Sequence, residues 1–350
     1  MIRRLLSAAL ILATFAVLAV AGWPQLFGLQ RAEFVAQVVS LRGAAAVVVA
    51  AAAIALLLLG VFIASFRKLA ASLAVLALAF VALTAIVLVS RGLETTATAD
   101  GGPSEDAITV LAWNTLGPAT DPQQVADLAI SRGAKIVVLP ETLEVDAVEA
   151  AMAMREAGSP MWVLTTAYDL ISPARSTSLL ISTDLGEYEF DADLKTTEVL
   201  PTVVARPVNG AGPTIIAVHA VAPIPGQMDN WRSDLALLSE MCSGDNIIMA
   251  GDFNATIDHF AGLGSWESTT HVDDRLASSA RLGECVDAAA SVGAGGVGTW
   301  PTALLPQLGA PIDHVMTTDE WRVSQFEVVT EADSIGSDHR PVVAHLEPRA

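Results

Sequence analysis

The sequence has 350 residues, of which 53% are hydrophobic, and its mean hydropathy of +0.52 is too high for an ordinary soluble protein. The formal net charge is −19, and 37 of the 38 acidic residues lie beyond residue 91, together with only 12 of the 19 basic ones. This acidic region repels polyanions at long range, which argues against extended DNA or RNA as a partner. A small phosphate ester stays compatible with it, because a bound metal ion can reverse the local field.

Three apolar segments occupy the first 91 residues. They contain no Asp, Glu, Lys or Arg, and each has about the 20 residues that a helix needs to cross a bilayer. We therefore predict a membrane anchor over residues 1–91, embedded in the bilayer, with transmembrane helices at about 5–22, 43–65 and 69–90. The loop between the first two segments has helical apolar spacing, which fits either an interfacial helix or a plain connection.

Basic residues indicate the orientation of this anchor. Arg3 and Arg4 precede the first segment, and Arg67 and Lys68 fill the short gap between the second and third. The positive-inside rule places these residues in the cytoplasm, so a multi-pass anchor would hold the C-terminal region on the extracytoplasmic side of the cell membrane. Three other basic residues then lie on the side that the rule disfavours: Arg31, Arg42 and Arg91. If the first segment is a cleaved signal peptide, the C-terminal region is still extracytoplasmic.

The rest of the chain is expected to form a linker and one globular domain. Residues 92–106 are polar and contain Gly-Gly-Pro, which is typical of a linker. Residues 107–350 alternate strand-like and helix-like stretches. Predicted strands cover 108–114, 135–140, 162–166, 177–182, 199–207, 214–221, 246–250, 314–317, 323–329 and 341–346. Predicted helices cover 121–131, 145–157 and 228–242. This pattern indicates an α/β domain with two packed sheets and helices outside them.

The chain has two cysteines, Cys242 and Cys285. In an oxidising compartment they could form a disulfide. The alternative is two separate buried thiols, which behave as small apolar side chains. We favour the alternative, because the sequence does not show whether the two Cα atoms are close enough for a bond.

Acidic and amide side chains follow several of the predicted strands. Glu141 ends the run Val-Val-Leu-Pro, and a carboxylate there needs a metal ion or a basic partner if it is buried. Asp252 and Asn254 follow an apolar strand and Gly251, and side chains two residues apart point the same way. They could together orient a water molecule for attack on phosphorus; a simple Asx turn is the structural alternative.

Histidines supply the groups that could move a proton. His339 follows Asp338, and Asp313 is the natural partner for its imidazole, which could then act as a general base or stabilise a charged phosphate. His314 is then expected to be structural. His219 ends a predicted strand, where it fits either a core histidine or a donor to phosphate oxygens.

Together these motifs resemble the endonuclease/exonuclease/phosphatase superfamily. The resemblance rests on Asn, Glu, His, Asp-x-Asn, Asp and Asp-His in this order over about residues 107–348. It implies a four-layer α/β sandwich of the DNase I type and Mg²⁺-dependent (or Mn²⁺-dependent) cleavage of phosphoester bonds. The three-span anchor resembles a membrane-bound bacterial subgroup that includes the VanJ-type teicoplanin-resistance proteins.

Carried over by position, the resemblance assigns a role to each of these residues. It implies that Asn114 and Glu141 bind the metal and that Asp338 is a further metal ligand or handles a proton. Asp252, with Asn254 beside it, would activate the water. His339, held by Asp313, would act at the scissile phosphate, and His219 matches a strand histidine that contacts phosphate in several branches of the superfamily. The Gly-Thr-Trp-Pro sequence at 298–301 resembles a substrate-side loop of bacterial members.

Three functions are compatible with these features. The leading hypothesis is a membrane-anchored metal-dependent phosphoesterase that hydrolyses a phosphate ester or pyrophosphate, such as a lipid phosphate, on the extracytoplasmic side. A nuclease with the same chemistry is the second hypothesis, and the net acidity argues against it. A non-catalytic protein that binds a cell-wall component is the third, and the completeness of the predicted site argues against it.

Overall fold

The computed structural model describes residues 1–169, 171–191, 195–264 and 280–349. Three of its helices are long and apolar enough to cross a membrane: α1 (Ile2–Gly22), α3 (Arg42–Phe62) and α4 (Arg67–Arg91). They match the three predicted spans. A short helix, α2 (Val35–Ser40), lies in the first loop. Ala53 and Ala74 are buried where α3 packs on α4, because small side chains let two helices approach closely.

The domain contains two seven-stranded sheets within the described residues. The first has the order β1-β13-β14-β2-β3-β5-β4 and the second the order β10-β11-β12-β9-β8-β7-β6. The strands of the first sheet are β1 (Thr96–Thr98), β2 (Ile108–Ala112), β3 (Ile136–Pro140), β4 (Met161–Ala167), β5 (Ser176–Ser182), β13 (Trp321–Val328) and β14 (Val342–Pro348). Those of the second are β6 (Tyr188–Phe190), β7 (Val203–Pro207), β8 (Thr214–His219), β9 (Ile247–Asp252), β10 (Arg281–Leu282), β11 (Cys285–Asp287) and β12 (Asp313–Thr317).

The outer faces of the two sheets are covered by α5 (Pro122–Arg132), α6 (Glu144–Glu156), α7 (Met228–Met241) and α8 (Ile257–Phe260). The short helix α9 (Ala288–Val292) instead packs Ala288 and Ala289 against side chains that lie between the sheets. Side chains alternate between the two faces of each strand, so Val110 packs between the sheets while Leu111 packs under α5 and α6. Met249 packs with α7 on the other side of the molecule. These four layers confirm the predicted α/β sandwich.

Most predicted elements are present, and the short ones were missed. Strands β6, β10 and β11 have three residues or fewer, and helices α8 and α9 have five or fewer, so none shows a clear period in the sequence. The predicted linker contains β1, which pairs with β13 at the edge of the first sheet. Residues 92–106 therefore contribute a strand to the domain as well as connecting it to the three apolar helices.

Cys242 and Cys285 form a disulfide between the end of α7 and β11, with Cα atoms 5.8 Å apart. The expectation of two separate buried thiols was wrong. The sulfur atoms meet because Glu284 N donates to Cys242 O, which brings the turn before β11 against the end of the helix. This proximity depends on tertiary structure and leaves no trace in the spacing of the two residues.

We expect the disulfide to stabilise the domain. It closes a loop across a separation of 43 residues, and loss of a native bridge of this size costs about 2–5 kcal/mol of unfolding free energy. Thermal unfolding of the full chain in detergent should show a lower midpoint for the Cys242→Ala, Cys285→Ala double variant. Adding a reductant should lower the wild-type midpoint and leave that of the variant unchanged. An equal response of both proteins would mean that the bridge is absent in solution.

Candidate active site

The second sheet places three polar side chains in one row. Asp313 on β12 is paired in register with Asp252 on β9, which is paired with His219 on β8. Residues directly opposite one another on neighbouring strands point to the same face. Within β12 the side chains alternate, so Asp313 faces this row and His314 faces the opposite side.

Gly251 gives Asp252 its position at the end of β9. Its φ of +136° is unfavourable for residues with a Cβ, and an added Cβ would lie 2.1 Å from the carbonyl oxygen of Val218 on β8. Only glycine therefore allows β8 and β9 to approach this closely beside Asp252.

We expect Gly251→Ala to separate β8 from β9 and to displace Asp252. The loss of stability should exceed about 1 kcal/mol, because the alanine is both strained in φ and in contact with backbone. Gly244→Ala is the matched control, since Gly244 also has a positive φ (+107°) but has no atom within 4 Å of an added Cβ. Thermal midpoints of the two variants measure the difference; equal midpoints would contradict this account of Gly251.

The first sheet brings Asn114 and Glu141 to the same place. They follow the parallel strands β2 and β3, whose carboxyl ends lie side by side. Asn114 Nδ2 donates to Glu141 Oε1 and to Asp252 Oδ2, at 3.1 Å each, so one amide joins carboxylates from both sheets. Its Oδ1 accepts from Leu116 N at 3.0 Å. In this geometry the Asn114 nitrogen, and not its oxygen, faces the two carboxylates.

Backbone strain is concentrated here. Glu141 has φ +59° and Asn254 has φ +47°, in the left-handed region that non-glycine residues rarely adopt. Asn254 N donates to Asp252 Oδ1 at 2.8 Å, which is the predicted Asx turn, and Asn254 Nδ2 lies 3.2 Å from Asp252 Oδ2. The turn and the convergence of the two side chains therefore occur together. Strain of this kind is common where side chains must be held for function.

His339 lies between two carboxylates. Its Nδ1 is 2.9 Å from Asp313 Oδ2 and its Nε2 is 3.8 Å from Asp252 Oδ2. Burial alone would lower the pKa of His339, but Asp313 and Asp252 raise it to about 10, so the imidazole is cationic at neutral pH. Burial raises the pKa of Asp252, and Asp313 acts in the same direction against the opposing effect of His339. The predicted pairing of Asp313 with His339 is present in the structure.

His219 is buried and neutral. Burial, with a smaller effect from His339, lowers its pKa to about 3. The 3.9 Å between its Nε2 and Glu141 Oε1 is therefore not an ion pair at neutral pH. Its Nδ1 has no hydrogen-bond partner among the described residues. Buried polar atoms of core residues are normally hydrogen-bonded. The unsatisfied Nδ1 is therefore not what the interpretation of His219 as a core histidine predicts.

Asp338 is held by the 298–301 loop. Trp300 Nε1 donates to Asp338 Oδ2 at 2.8 Å, while Asp338 Oδ1 is buried without a partner in the described part of the chain. Thr299 Oγ1 accepts from the backbone N–H groups of Ile312 and Asp313 and so fixes the start of β12. The loop thus supports both Asp338 and Asp313.

Several supporting residues were not identified from the sequence. Arg340 is fully buried and donates to four carbonyl oxygens of the 298–304 loop and to Asp333. Ser337 Oγ donates to Asn114 O at 2.6 Å, joining the start of β14 to the end of β2. The Ser-Asp-His-Arg run at 337–340 was the available signal, because each residue in it contacts the site or its loops. His314, expected to be structural, contacts Asp287 Oδ2 and Ala255 O.

The donor set fits a hard divalent cation. Oxygen and nitrogen atoms of Asp252, Asp313 and His339 lie within 4.8 Å of one another, and Glu141 approaches the same place through Asn114. Across the described ranges, no Lys or Arg forms an ion pair with any of these carboxylates. Because His339 is cationic, it offsets part of the carboxylate charge but offers no ligand, and the remaining carboxylate oxygens are of the type that Mg²⁺ or Mn²⁺ binds.

Solved structures with a similar fold include two bacterial endonuclease/exonuclease/phosphatase proteins. The one from Bacteroides vulgatus aligns with 70% of this chain and 100% of its own, at 15% identity and a TM-score of 0.46. The one from Beutenbergia cavernae aligns with 69% and 72%, at 17% identity and 0.48. A mannosyl-6-phosphatase from Bacteroides thetaiotaomicron aligns with 69% and 99%, at 17% identity and 0.44. At such low similarity we base no functional argument on them.

Sequence comparison is more decisive. No curated protein matches the chain. Residues 111–339 match the endonuclease/exonuclease/phosphatase family, and this region starts within β2, ends at His339 and covers well over half of the 350 residues. It contains all eight residues of the predicted site: Asn114, Glu141, His219, Asp252, Asn254, Asp313, Asp338 and His339. This chain therefore belongs to the endonuclease/exonuclease/phosphatase family.

Proposed function

We propose that this protein is a membrane-anchored phosphoesterase that uses a divalent metal ion, Mg²⁺ or Mn²⁺, to hydrolyse phosphate esters. One observation carries the proposal. The Asp252 carboxylate, the Asp313–His339 pair and Glu141 converge from two sheets on one place, and within the described residues no lysine or arginine pairs with these carboxylates, so His339 alone offsets part of their charge. Hydrolysis by water suits this set, because none of these residues is a serine or cysteine nucleophile.

Each side chain has a role in this proposal. Asp252, oriented by Asn254 and Asn114, accepts a proton from the water whose oxygen attacks phosphorus. Cationic His339, held at Nδ1 by Asp313, presents Nε2–H to the phosphate and stabilises negative charge as the P–O ester bond breaks. Neutral His219 adds a hydrogen bond to a phosphate oxygen. The leaving oxygen departs with a proton from His339 or solvent.

Glu141 and Asp338 would hold the metal; Asn114, the third predicted ligand, would bind it only through Oδ1, because its Nδ2 donates to the carboxylates of Glu141 and Asp252. The bound cation would neutralise phosphate charge and polarise the phosphorus centre. Asp338 Oδ1 is available for this, since Trp300 occupies only Oδ2.

We place the reaction on the extracytoplasmic side and propose a lipid-linked phosphate ester or pyrophosphate as substrate. The distribution of Arg3, Arg4, Arg67 and Lys68 supports this side, and so does the disulfide, because disulfides persist in oxidising compartments. The anchor supports a lipid substrate, since tethering raises the effective concentration of head groups at the site. The acidity of the domain opposes binding of nucleic acid.

Hydrolysis assays on the full chain in lipid nanodiscs test the proposal. The substrates are a lipid phosphate, bis(p-nitrophenyl) phosphate and plasmid DNA, each with and without EDTA and then with added Mg²⁺ or Mn²⁺. We expect metal-dependent release of phosphate from the lipid and little cleavage of DNA. Activity that survives EDTA would overturn the metal mechanism. Preferential DNA cleavage would make the protein a nuclease, and inactivity on every substrate would favour a binding protein.

A further inference from the structure

A buried ion cluster joins the catalytic domain to the anchor. Asp258, on α8, is 1% exposed, and its carboxylate accepts hydrogen bonds from two arginines in forked geometry. Arg42 donates from Nε and Nη2 and Arg91 from Nη1 and Nη2, all at 2.8 Å. Gln25 Nε2 donates to the same carboxylate at 2.6 Å. All of these hydrogen-bond partners of the carboxylate precede residue 92.

This cluster lies close to the candidate active site along the chain. Asp258 follows Asn254 by four residues, in the segment 253–261 that we call the catalytic segment. Its domain-side contacts include Trp231 Nε1 to Asn254 O at 3.0 Å. Its anchor-side contacts include His259 Nε2 with Ala36 O at 3.2 Å and Gln30 Nε2 with Ala261 O at 2.9 Å. The segment is therefore held between the domain core and the anchor.

The junction leaves little room for relative movement. An added Cβ at Gly43 would lie 2.1 Å from Gln307 O, and one at Gly92 would lie 1.4 Å from Gly293 O. The N–H groups of Gly295 and Gly296 donate to Arg91 O and Gly92 O at the end of α4. Because these contacts join backbone to backbone, the end of α4 is held directly against the domain.

The charges of the cluster are compensated only across the junction. Although burial would raise the pKa of Asp258, Arg91 and Arg42 hold it well below the usual range for a carboxyl. Removing either arginine would leave Asp258 with one forked partner and take away two of the hydrogen bonds that its carboxylate accepts, which weakens the connection between the anchor and α8. The cluster also explains why Arg42 and Arg91 lie on the side that the positive-inside rule disfavours, because Asp258 pairs with both.

We propose that the anchor is a structural part of the active site and that Arg42, Arg91 and Asp258 are positioning residues for Asp252 and Asn254. The effect on turnover rests on the proposed phosphoesterase function, whereas the effect on the order of the catalytic segment does not. The membrane helices then affect kcat as well as the location of the reaction. A misplacement of about 1 Å at a catalytic group can lower turnover by about 100-fold.

Hydrogen exchange and kinetics on full-chain variants in nanodiscs test this proposal. For Arg42→Gln and Arg91→Gln, we expect amides of the catalytic segment to exchange at least about tenfold faster, while residues 122–140 stay unchanged. With bis(p-nitrophenyl) phosphate, kcat should fall about 10–100-fold at a nearly constant KM. Arg67→Gln is the matched anchor control, because Arg67 donates to Gly60 O within the anchor. It should leave both measurements unchanged.

Two further variants guard against loss of folding. Arg42→Lys and Arg91→Lys keep the charge but lose the forked contact, and we expect intermediate changes in exchange and in kcat. Unchanged exchange in the catalytic segment for all four variants would overturn the proposal. Faster exchange with an unchanged kcat would also overturn it, because the cluster would then only attach the domain. If the wild-type protein hydrolyses no phosphoester, the proposed function fails, and the exchange measurement still decides whether the anchor orders the segment.

Discussion

Replacing Asp252 with asparagine is expected to lower kcat by about 10²–10⁴-fold while leaving the fold intact. Asparagine has the same shape and can still accept from Asn254 N, but it cannot take a proton from water. Asn114 Nδ2, which donates to the Asp252 carboxylate at 3.1 Å, would then face the asparagine side chain. The loss should appear in kcat more than in KM, because the proton moves only in the transition state.

Asp245→Asn provides the matched control. Asp245 is exposed just before the opposite end of β9, so this substitution makes the same chemical change without touching the site. Full-chain preparations of both variants should have the same thermal midpoint as the wild type and differ from each other only in turnover. A fully active Asp252→Asn protein would remove Asp252 from the mechanism. If the Asp252→Asn protein also kept its biological effect in the cell, the protein would be better explained as a binding protein.

The residues of the predicted site could be recognised because most of them lie at the end of an apolar strand or within two residues of it. Apolar runs in the sequence predict β2, β3, β8 and β9. Side chains alternate between the two faces of a strand, so Asp313 on β12 faces the site and His314 does not. The pairing of Asp313 with His339 followed from the same reasoning and is present at 2.9 Å. Local sequence was informative here, because apolar strands of the core carry or adjoin most of the predicted site residues.

Other features depend on contacts between distant parts of the chain. Asp258 is on a four-residue helix, and its partners Arg42 and Arg91 are 216 and 167 positions away. From the sequence alone, those two arginines are only basic residues on the side of the membrane that the positive-inside rule disfavours. The disulfide required the 5.8 Å separation of two Cα atoms, and the buried Arg340 required the carbonyl groups of a loop about 40 residues earlier.

Glu141→Gln is expected to weaken metal binding and turnover together. Glutamine preserves the size of the side chain and can still accept from Asn114 Nδ2, but it lacks the negative charge that attracts a cation. Removing a direct ligand should weaken Mn²⁺ binding by at least the roughly 10–100-fold that loss of a hydrogen-bond partner to a ligand costs. Titration of the full chain with Mn²⁺, followed by the electron paramagnetic resonance of the free ion, measures this affinity without a substrate.

Glu144→Gln is the control, because Glu144 is exposed on the first turn of α6, three residues beyond Glu141. We expect it to bind Mn²⁺ like the wild type. If Glu141 is a ligand, raising the metal concentration should restore part of the lost turnover in Glu141→Gln, because a weakened site can still be filled. Rescue would not occur if Glu141 only positioned Asn114 through their 3.1 Å hydrogen bond, since excess metal cannot restore the orientation of an amide. Unchanged Mn²⁺ affinity in Glu141→Gln would therefore remove Glu141 from the proposed metal ligands and leave Asp338 as the proposed carboxylate ligand.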